Sequence, residues 1–487
     1  MSGPGVTKLN ILKSSDSAEK FYRKKLIKKY LDTMGRKRKI EGEDIMITDV
    51  MRKLGVPIVK KIKTSVPVSS EYLRVLPHEG SAEFGGRISY TLPQYGNFLH
   101  DIVIHVRLEG LSISGTSTGV KYADFLGHKI FKRVELELSN KLIDSYDSDT
   151  YNMHYQFEVK DEDKDAWKRS IGQEIPQASK VQVQTTGGTY SEYRYIAHGP
   201  QTFKESHDVV DLYIPLLFWF CDTPDACIGN GSIPYGQSFI RIDLAKVEEL
   251  VSGIPTNEYN PPNISIMDMY VNNIFMEGQV EDVLQKYKKN SMIRLHSISK
   301  NVLNTPAETV QLGNLRYPVE RLYMGAKPLV NKDNIEDWYK FYNINEVPIR
   351  TPLMIPNPGV PPPTHILSTG DIVYKSRTET IREYAYLVYG NEVFTKNLSK
   401  FASRYLPLKS KNLGNGEGIG THMNSFAITP KNKEITGYFP LSDVDYLYLD
   451  YESDNISTIN SAELYVCAIT LNFLCIRNGR AHLVYNG

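Results

Sequence analysis

Along much of this chain apolar side chains recur at every second position, the signature of strands with one face in a core. In Asp101–Leu108, Ile102, Ile104, Val106 and Leu108 share one face; in Arg133–Leu138, Val134, Leu136 and Leu138 point one way and Glu135 and Glu137 the other. Phe239–Leu244 and Ile264–Met276 continue the pattern. It resumes at Met292–Ile298, Val319–Met324, Val444–Tyr451, Leu464–Leu474 and Ala481–Tyr485. Leu212–Phe220 is apolar on both faces and predicts a strand buried between layers, with Pro215 marking a bulge or an edge position. A polar and charged stretch, Gly278 to Asn290, separates the two series and reads as a linker. The pattern predicts an all-β chain of two tandem β-sandwiches, residues 66–280 and 281–487, behind a separate segment, residues 1–65.

Long connections are expected within Tyr155–Ser206, polar and rich in Gln, Thr, Gly and Tyr around Gln182–Tyr195, and at Thr351–Thr364, where prolines cannot join a sheet ladder. A faint repeat links the two halves. Val134-Glu135-Leu136 is followed by Asp147, Asp149 and the aromatic stretch Tyr151 to Phe157; Val319-Glu320-Arg321-Leu322 is followed by Asp333, Glu336, Asp337 and Trp338 to Tyr342. In both, acidic residues stand where a helix would start, favourable for its dipole, and an aromatic face would dock on the sheet. Two copies suggest a duplicated sandwich.

Composition supports the β reading: 32 Tyr favour pleated strands, and 34 Gly with 26 Pro punctuate turns. The net charge of +1 conceals an asymmetry. Met1 to Ser65 carries 17 Lys and Arg against 7 Asp and Glu, a net of +10, and the remainder, with 40 against 49, nets −9. Within this basic arm, Ser15 or Asp16 could cap a helix running to about Met34. Tyr22, Leu26, Ile27, Tyr30, Leu31 and Met34 fall on one face, and Arg23, Lys24, Lys28 and Lys29 on the other; the run Arg36, Lys37, Arg38 and Lys39 follows. Three roles stay open for the arm: an amphipathic helix packed on the body or a neighbour, a binder of anionic lipid or nucleic acid, or a nuclear localisation signal.

The residues offer little chemistry. No signal peptide, myristoylation pattern or transmembrane run is visible; Ile214 to Cys221 is far short of the ~20 residues a bilayer requires. Cys221, Cys227, Cys467 and Cys475 form no C-x-x-C motif, and four in so long a chain suit buried free thiols in a reducing compartment. Gly127-His128-Lys129 lacks the spacing of a phosphate-binding loop, and no G-x-S-x-G occurs. His100 and His105, an odd number apart on a strand, are expected on opposite faces and so unable to share a metal. Asp161, Glu162, Asp163 and Asp165 lack the spacing of a calcium loop. Catalytic, cofactor and metal sites are therefore all expected to be none.

Three stretches carry a resemblance. They are RVELELSNKLID at Arg133–Asp144; LYIPLLFWF through SIPYGQSFIRIDL over Leu212–Leu244; and GYFPLSDVDYLYLDYE from Gly437 with the closing LNFLCIRNGRAHLVYNG. Together they resemble the double jelly-roll major capsid proteins of nucleocytoplasmic large DNA viruses, the phycodnavirus, iridovirus, mimivirus and asfarvirus relatives. The resemblance implies two eight-stranded jelly rolls with short inserted helices, and a trimer of pseudo-hexagonal outline tiling an icosahedral shell. It implies an N-terminal arm on the inner capsid face, so that Arg23, Lys24, Lys28, Lys29 and Arg36 to Lys39 become candidate contact residues. The expected partners are other copies of the chain, neighbouring capsomers and minor capsid proteins, with an inner membrane or the genome as further arm contacts. The expected location is the virion, with host cytoplasm or nucleus during assembly. Two other readings are kept open: a transient assembly scaffold of the same fold, and a carbohydrate-binding or carbohydrate-cleaving β-sandwich in which Trp167 or Tyr193 stacks on sugars.

Overall fold

The computed structural model describes residues 68–276, apart from 175–178, 185–190, 197–198 and 234–237, and residues 290–485, apart from 314, 316, 349–353, 356–364, 367–372, 411–412, 417, 433–434, 442–445 and 478–479. The basic arm, the arm residues named above and the stretch between the two series fall outside the described residues.

Eight principal strands precede residue 277: β1 (Val68–Val75), β2 (Arg87–Thr91), β3 (Phe98–Glu109), β4 (Phe131–Leu138), β5 (Lys141–Asp147), β6 (Val210–Pro215), β7 (Ser238–Leu244) and β8 (Asn263–Met276). They form two antiparallel sheets, in the orders β1-β8-β3-β6 and β2-β7-β4-β5. After residue 289 come β9 (Asn290–Leu303), β10 (Ala307–Leu312), β11 (Pro318–Pro328), β12 (Glu383–Val388), β13 (Asn391–Leu398), β14 (Thr421–Ser425), β15 (Leu447–Glu452) and β16 (Ala462–Arg477). Their sheets run β9-β16-β11-β14 and β10-β15-β12-β13. Adding eight to every strand number of the first pair of sheets gives the second pair. The two halves are therefore topological copies, each with the interleaved Greek-key order of a jelly roll.

The alternation read from the sequence does set the cores. Ile102, Ile104, Val106 and Leu108 of β3 face Val134, Leu136 and Leu138 of β4, with Ile240 and Ile242 of β7 and Met269 and Val271 of β8 between them, all fully buried. Each such side chain contributes about 1.5–3 kcal/mol by leaving water. The second core is built in the same way from Leu322 and Met324 of β11, Tyr386 of β12, Leu449 and Tyr451 of β15 and Leu464 and Val466 of β16. The long pair β9–β16 reaches beyond its own sandwich. Ile293 and Leu295 of β9, Leu474 and Ile476 of β16, and Ala481 and Leu483 of the returning hairpin Arg480–Leu483 belong to the core of the first sandwich.

Four details differ from the expectation. Leu212–Phe220 is not one strand: β6 ends at Pro215 on the sheet edge, and Trp219–Asp222 is a helical turn. Its two-sided apolarity arises because Leu216 and Phe218 of the loop and Phe220 of the helical turn are buried without joining a ladder. The polar connection around Gln182–Tyr195 is a hairpin, Ser179–Gln184 against Ser191–Ile196. In the proline-rich loop, Met354–Ile355 pairs with His365–Ile366. The repeat is real, but its register was misassigned. Val134–Leu136 lies on β4, whose counterpart is β12, whereas Val319–Leu322 lies on β11, the counterpart of β3.

Candidate functional site: the seam between the sandwiches

The most elaborate constellation joins the two halves. Its centre is α1 (Ser148–Phe157), which follows β5. Asp147 caps it: its Oδ1 accepts from the Thr150 amide at 3.1 Å, and Thr150 Oγ1 accepts from the Asp147 amide at 3.3 Å, satisfying donors a helix start leaves open. Tyr151, Met153, Tyr155 and Phe157 divide by helical phase into two i,i+4 pairs on roughly opposite sides. Tyr151 sits in the first core, and Tyr155 packs with Phe125, Ile171 and Trp338. Met153 and Phe157 face the second sandwich, among Tyr323, Phe341, Met423, Tyr465, Cys467 and Ile469. Phe157 stacks on Tyr323 with ring centroids 5.2 Å apart and planes 3° from parallel. The aromatic stretch thus docks on a sheet, as expected, but the sheet belongs to the other half.

The approach depends on Gly325 of β11, where an added Cβ would stand 2.6 Å from Phe341 Cδ1 and 3.1 Å from Met153 Cε. Gly325→Ala is expected to cost about 1–3 kcal/mol through overpacking, read as a lowered midpoint in chemical denaturation. An unchanged midpoint would show that the seam yields without strain.

Charge around this apolar centre is divided between the halves. The first supplies Asp144, Asp147, Asp149 and Glu158; the second supplies His296, Lys300, Lys327, Arg321 and Lys431. Glu158, at the C-cap of α1, accepts from Arg321 Nη2 at 2.7 Å and Nε at 3.0 Å, and from the Tyr323 hydroxyl. Lys431 Nζ lies 2.7 Å from its other oxygen and 2.9 Å from Asp222. Arg321 also reaches Glu320, which Arg294 grips with two bonds of 2.8 and 2.9 Å. His296 donates its amide to Asp144 at 2.9 Å, and its Nδ1 lies 3.0 Å from the same carboxylate. Lys300 lies 2.7 Å from Asp147, Tyr465 donates to Asp147 at 2.8 Å, and Lys327 pairs with Asp149.

Burial alone would raise the Glu158 carboxyl, but the Arg321 and Lys431 charges outweigh it and hold Glu158 well below the usual carboxylate range. By the converse balance Arg321 stays above its ordinary value against its own burial, because Glu158 faces it. A cleft of about 510 Å³ opens beside this network, lined from both halves by Glu158, His154, Asp222, Arg294, Arg321 and Lys431 among others. Burial pushes His154 down to about 4. The arrangement is suited to locking two sandwiches at one angle, because the Asp144, Asp147, Asp149 and Glu158 carboxylates are each held by groups of the other half.

Other residues singled out in the sequence fall elsewhere. Trp167 does not offer an open stacking face: its Nε1–H donates to His128 Nε2 at 2.8 Å, and its ring packs against the His154 ring. The backbone of Tyr193 lies in the described hairpin, its side chain outside the described residues. His100 and His105 share a face after all. A bulge at Asp101, with φ +51°, absorbs one residue, so that His100 pairs with Asn272 and His105 with Asp268. Four register positions still part them by about 13 Å. Asp161 is tied to Lys164 at 2.6 Å and to Asn415 of the second half at 2.6 Å. Among the described residues no group of three or more His, Cys, Asp or Glu is placed to hold a metal ion. No cysteine is bonded to another; Cys467 is buried and the other three are half-buried. The sequence reading missed Glu158, Arg321 and Lys431. One signal was present, the charged residues Glu320, Arg321 and Lys327 inside a largely apolar strand, since buried charges persist only when paired.

Residues 70–277 match the family model described as the major capsid protein N-terminus. The hexon protein of African swine fever virus is 23% identical, over 87% of this chain and 90% of its own. In sequence the chain is similar to the major capsid proteins of large DNA viruses. The Phaeocystis pouchetii virus major capsid protein matches over 52% of this chain and 51% of its own at 20% identity. In fold, the Faustovirus major capsid protein superposes with a TM-score of 0.73 at 21% identity, covering 88% of this chain and 94% of its own. The PBCV-1 capsid protein gives 0.61 at 16% identity, covering 87% and 98%.

Proposed function

We propose that this chain is the major capsid protein of a large DNA virus, located in the virion shell, and that three copies form a pseudo-hexagonal capsomer. The observation that carries this is the duplication. Two topologically equivalent sandwiches, fixed side by side by a buried seam, make a rigid two-block unit, and three such units present six similar blocks. In this reading each unit is an eight-stranded jelly roll, divided at residues 66–280 and 281–487. Repeated weak contacts over a closed lattice then stabilise the particle. The acidic body and the basic arm suit different surroundings. The arm, through Arg23, Lys24, Lys28, Lys29 and Arg36 to Lys39, would face inwards and meet minor capsid proteins, an internal membrane or the genome.

Sedimentation of the purified chain at micromolar concentration is expected to give a trimer, and electron microscopy a six-lobed outline. A stable monomer would sink the reading. Deleting residues 1–65 is expected to leave trimers intact while impairing shell assembly; loss of trimers would give the arm another task.

A further inference from the structure

The seam is asymmetric, and so leaves one unused half on each sandwich. Within the chain, the first sandwich contributes β5 and the helix after it, and the second receives them on β9, β16, β11 and β14. By the eight-strand correspondence, the second sandwich has its own donor, β13 and the helical segment that follows (Phe401–Tyr405 and Leu406–Lys409). The first sandwich has its own receiving sheet, β1, β8, β3 and β6. A head-to-tail contact of this kind repeats until the rotation closes a ring.

Both unused halves carry apolar side chains in the open. On the donor, Ala402 is buried in its own sandwich, while Leu398, Phe401, Tyr405 and Leu408 are 54%, 42%, 47% and 64% exposed. Phe401 stacks on Tyr405 at 5.4 Å. They lie on or beside the helical segment that follows β13, as α1 follows β5. On the receiving sheet, Val68, Tyr72 and Tyr213 are 43%, 50% and 47% exposed. Tyr213 stacks on His105 at 4.6 Å, an aromatic platform where the second sandwich presents Tyr323. Charge also fits. The donor segment carries Lys400, Arg404 and Lys409. On the same face of the sheet Asp268 is paired with Arg74 and Asp211 with Arg107, while Asp101 accepts from Tyr72 and Glu109 from Ser265, so these groups leave the face net negative. The polarity is the reverse of the internal seam, where the helix is acidic and the sheet basic.

We infer that the face of Leu398, Phe401, Tyr405 and Leu408 docks on the Tyr72–His105–Tyr213 face of a second copy of this chain, repeating the internal seam between subunits. This rests on the shell-building reading and adds the surfaces to it.

The test uses full-length protein and sedimentation velocity, with two variants: Phe401→Asp with Leu408→Asp on the donor, and Tyr72→Arg with Tyr213→Arg on the sheet. Each is expected to be monomeric where the wild type is trimeric, with association weakened at least 100-fold. Mixed one to one, they are expected to form a heterodimer and nothing larger, because each retains the half the other has lost. Unchanged unfolding midpoints show that both are folded, and the milder Leu408→Ser and Tyr213→Ser should each weaken association measurably. Trimers that survive both double variants overturn the surfaces, as they would if the chain's own residues 1–67 covered the sheet. Monomers that fail to form the mixed dimer overturn the head-to-tail geometry. A monomeric wild type overturns the shell-building reading itself.

Discussion

Arg321→Met is expected to destabilise the chain by about 3 kcal/mol, because it removes a buried cation shared by Glu158 and Glu320 and leaves only Lys431 and Arg294 to face them. Both side chains of the Arg321–Glu158 pair are nearly inaccessible, at 3% and 5% exposure. Methionine fills much of the volume, so the loss is electrostatic rather than a cavity. Arg321→Lys should rescue little: the guanidinium serves Glu158 through Nε and Nη2 and Glu320 through Nη1, and a lysine cannot span both. Replacing both partners, Arg321→Met with Glu158→Met, should cost less than the sum of the single changes. Because the pair joins the two sandwiches, the single variant should also divide one calorimetric transition into two. One cooperative transition at an unshifted temperature would show that the apolar contacts of α1 hold the halves without the ion pair.

The second large effect is acid lability. Burial pushes His128 and His422 down to about 3 and His154 down to about 4, against 6.5 for an exposed histidine. The folded chain therefore keeps all three neutral at pH values where the unfolded chain protonates them. Their contribution is complete well above pH 6.5 and is lost as pH falls through 6.5 to about 4 for His154 and about 3 for His128 and His422, each giving a slope of up to about 1.4 kcal/mol per pH unit. Hydrogen bonding supports the neutral form. His128 Nε2 accepts from Trp167, so its proton sits on Nδ1, towards Asn152. His422 is 1% exposed, and neither ring nitrogen has a hydrogen-bond partner among the described residues. Glu158 and Asp147, both held below the carboxylate range, add a further loss at lower pH. Stability measured by denaturation should fall steeply between pH 7 and pH 5, and His422→Leu should flatten that dependence. Parallel curves for variant and wild type would exclude His422 as a source.

The strands were legible because alternation is a local consequence of a core on one side. Ile102 to Leu108 and Val134 to Leu138 needed no knowledge of their partners. Leu212–Phe220 failed for the same reason in reverse: apolarity on both faces reports burial, not ladder geometry, and a loop pressed into a core looks identical. The duplicated order was sensed but misaligned, since Val-Glu motifs recur wherever a strand alternates, whereas equivalence between β4 and β12 is a property of sheet order. The bulge at Asp101 could not be seen, because one inserted residue shifts the face of everything before it. The seam was beyond reach: Glu158 and Arg321 are 163 positions apart, and nothing local to either names the other. Its helix was nevertheless half-written, in the capping residues Asp147 and Thr150 and the spacing of Met153 and Phe157.

The reach of the β9–β16 pair into the first core bears on the order of events during synthesis. Leu474, Ile476, Ala481 and Leu483 are needed to close a sandwich whose own last strand ends at Met276. At ordinary translation rates, roughly 10–40 s separate the two. Through that interval the first sandwich waits on the ribosome with an open flank, a natural client for a chaperone. The subunit becomes competent to assemble only when nearly its whole length has been made.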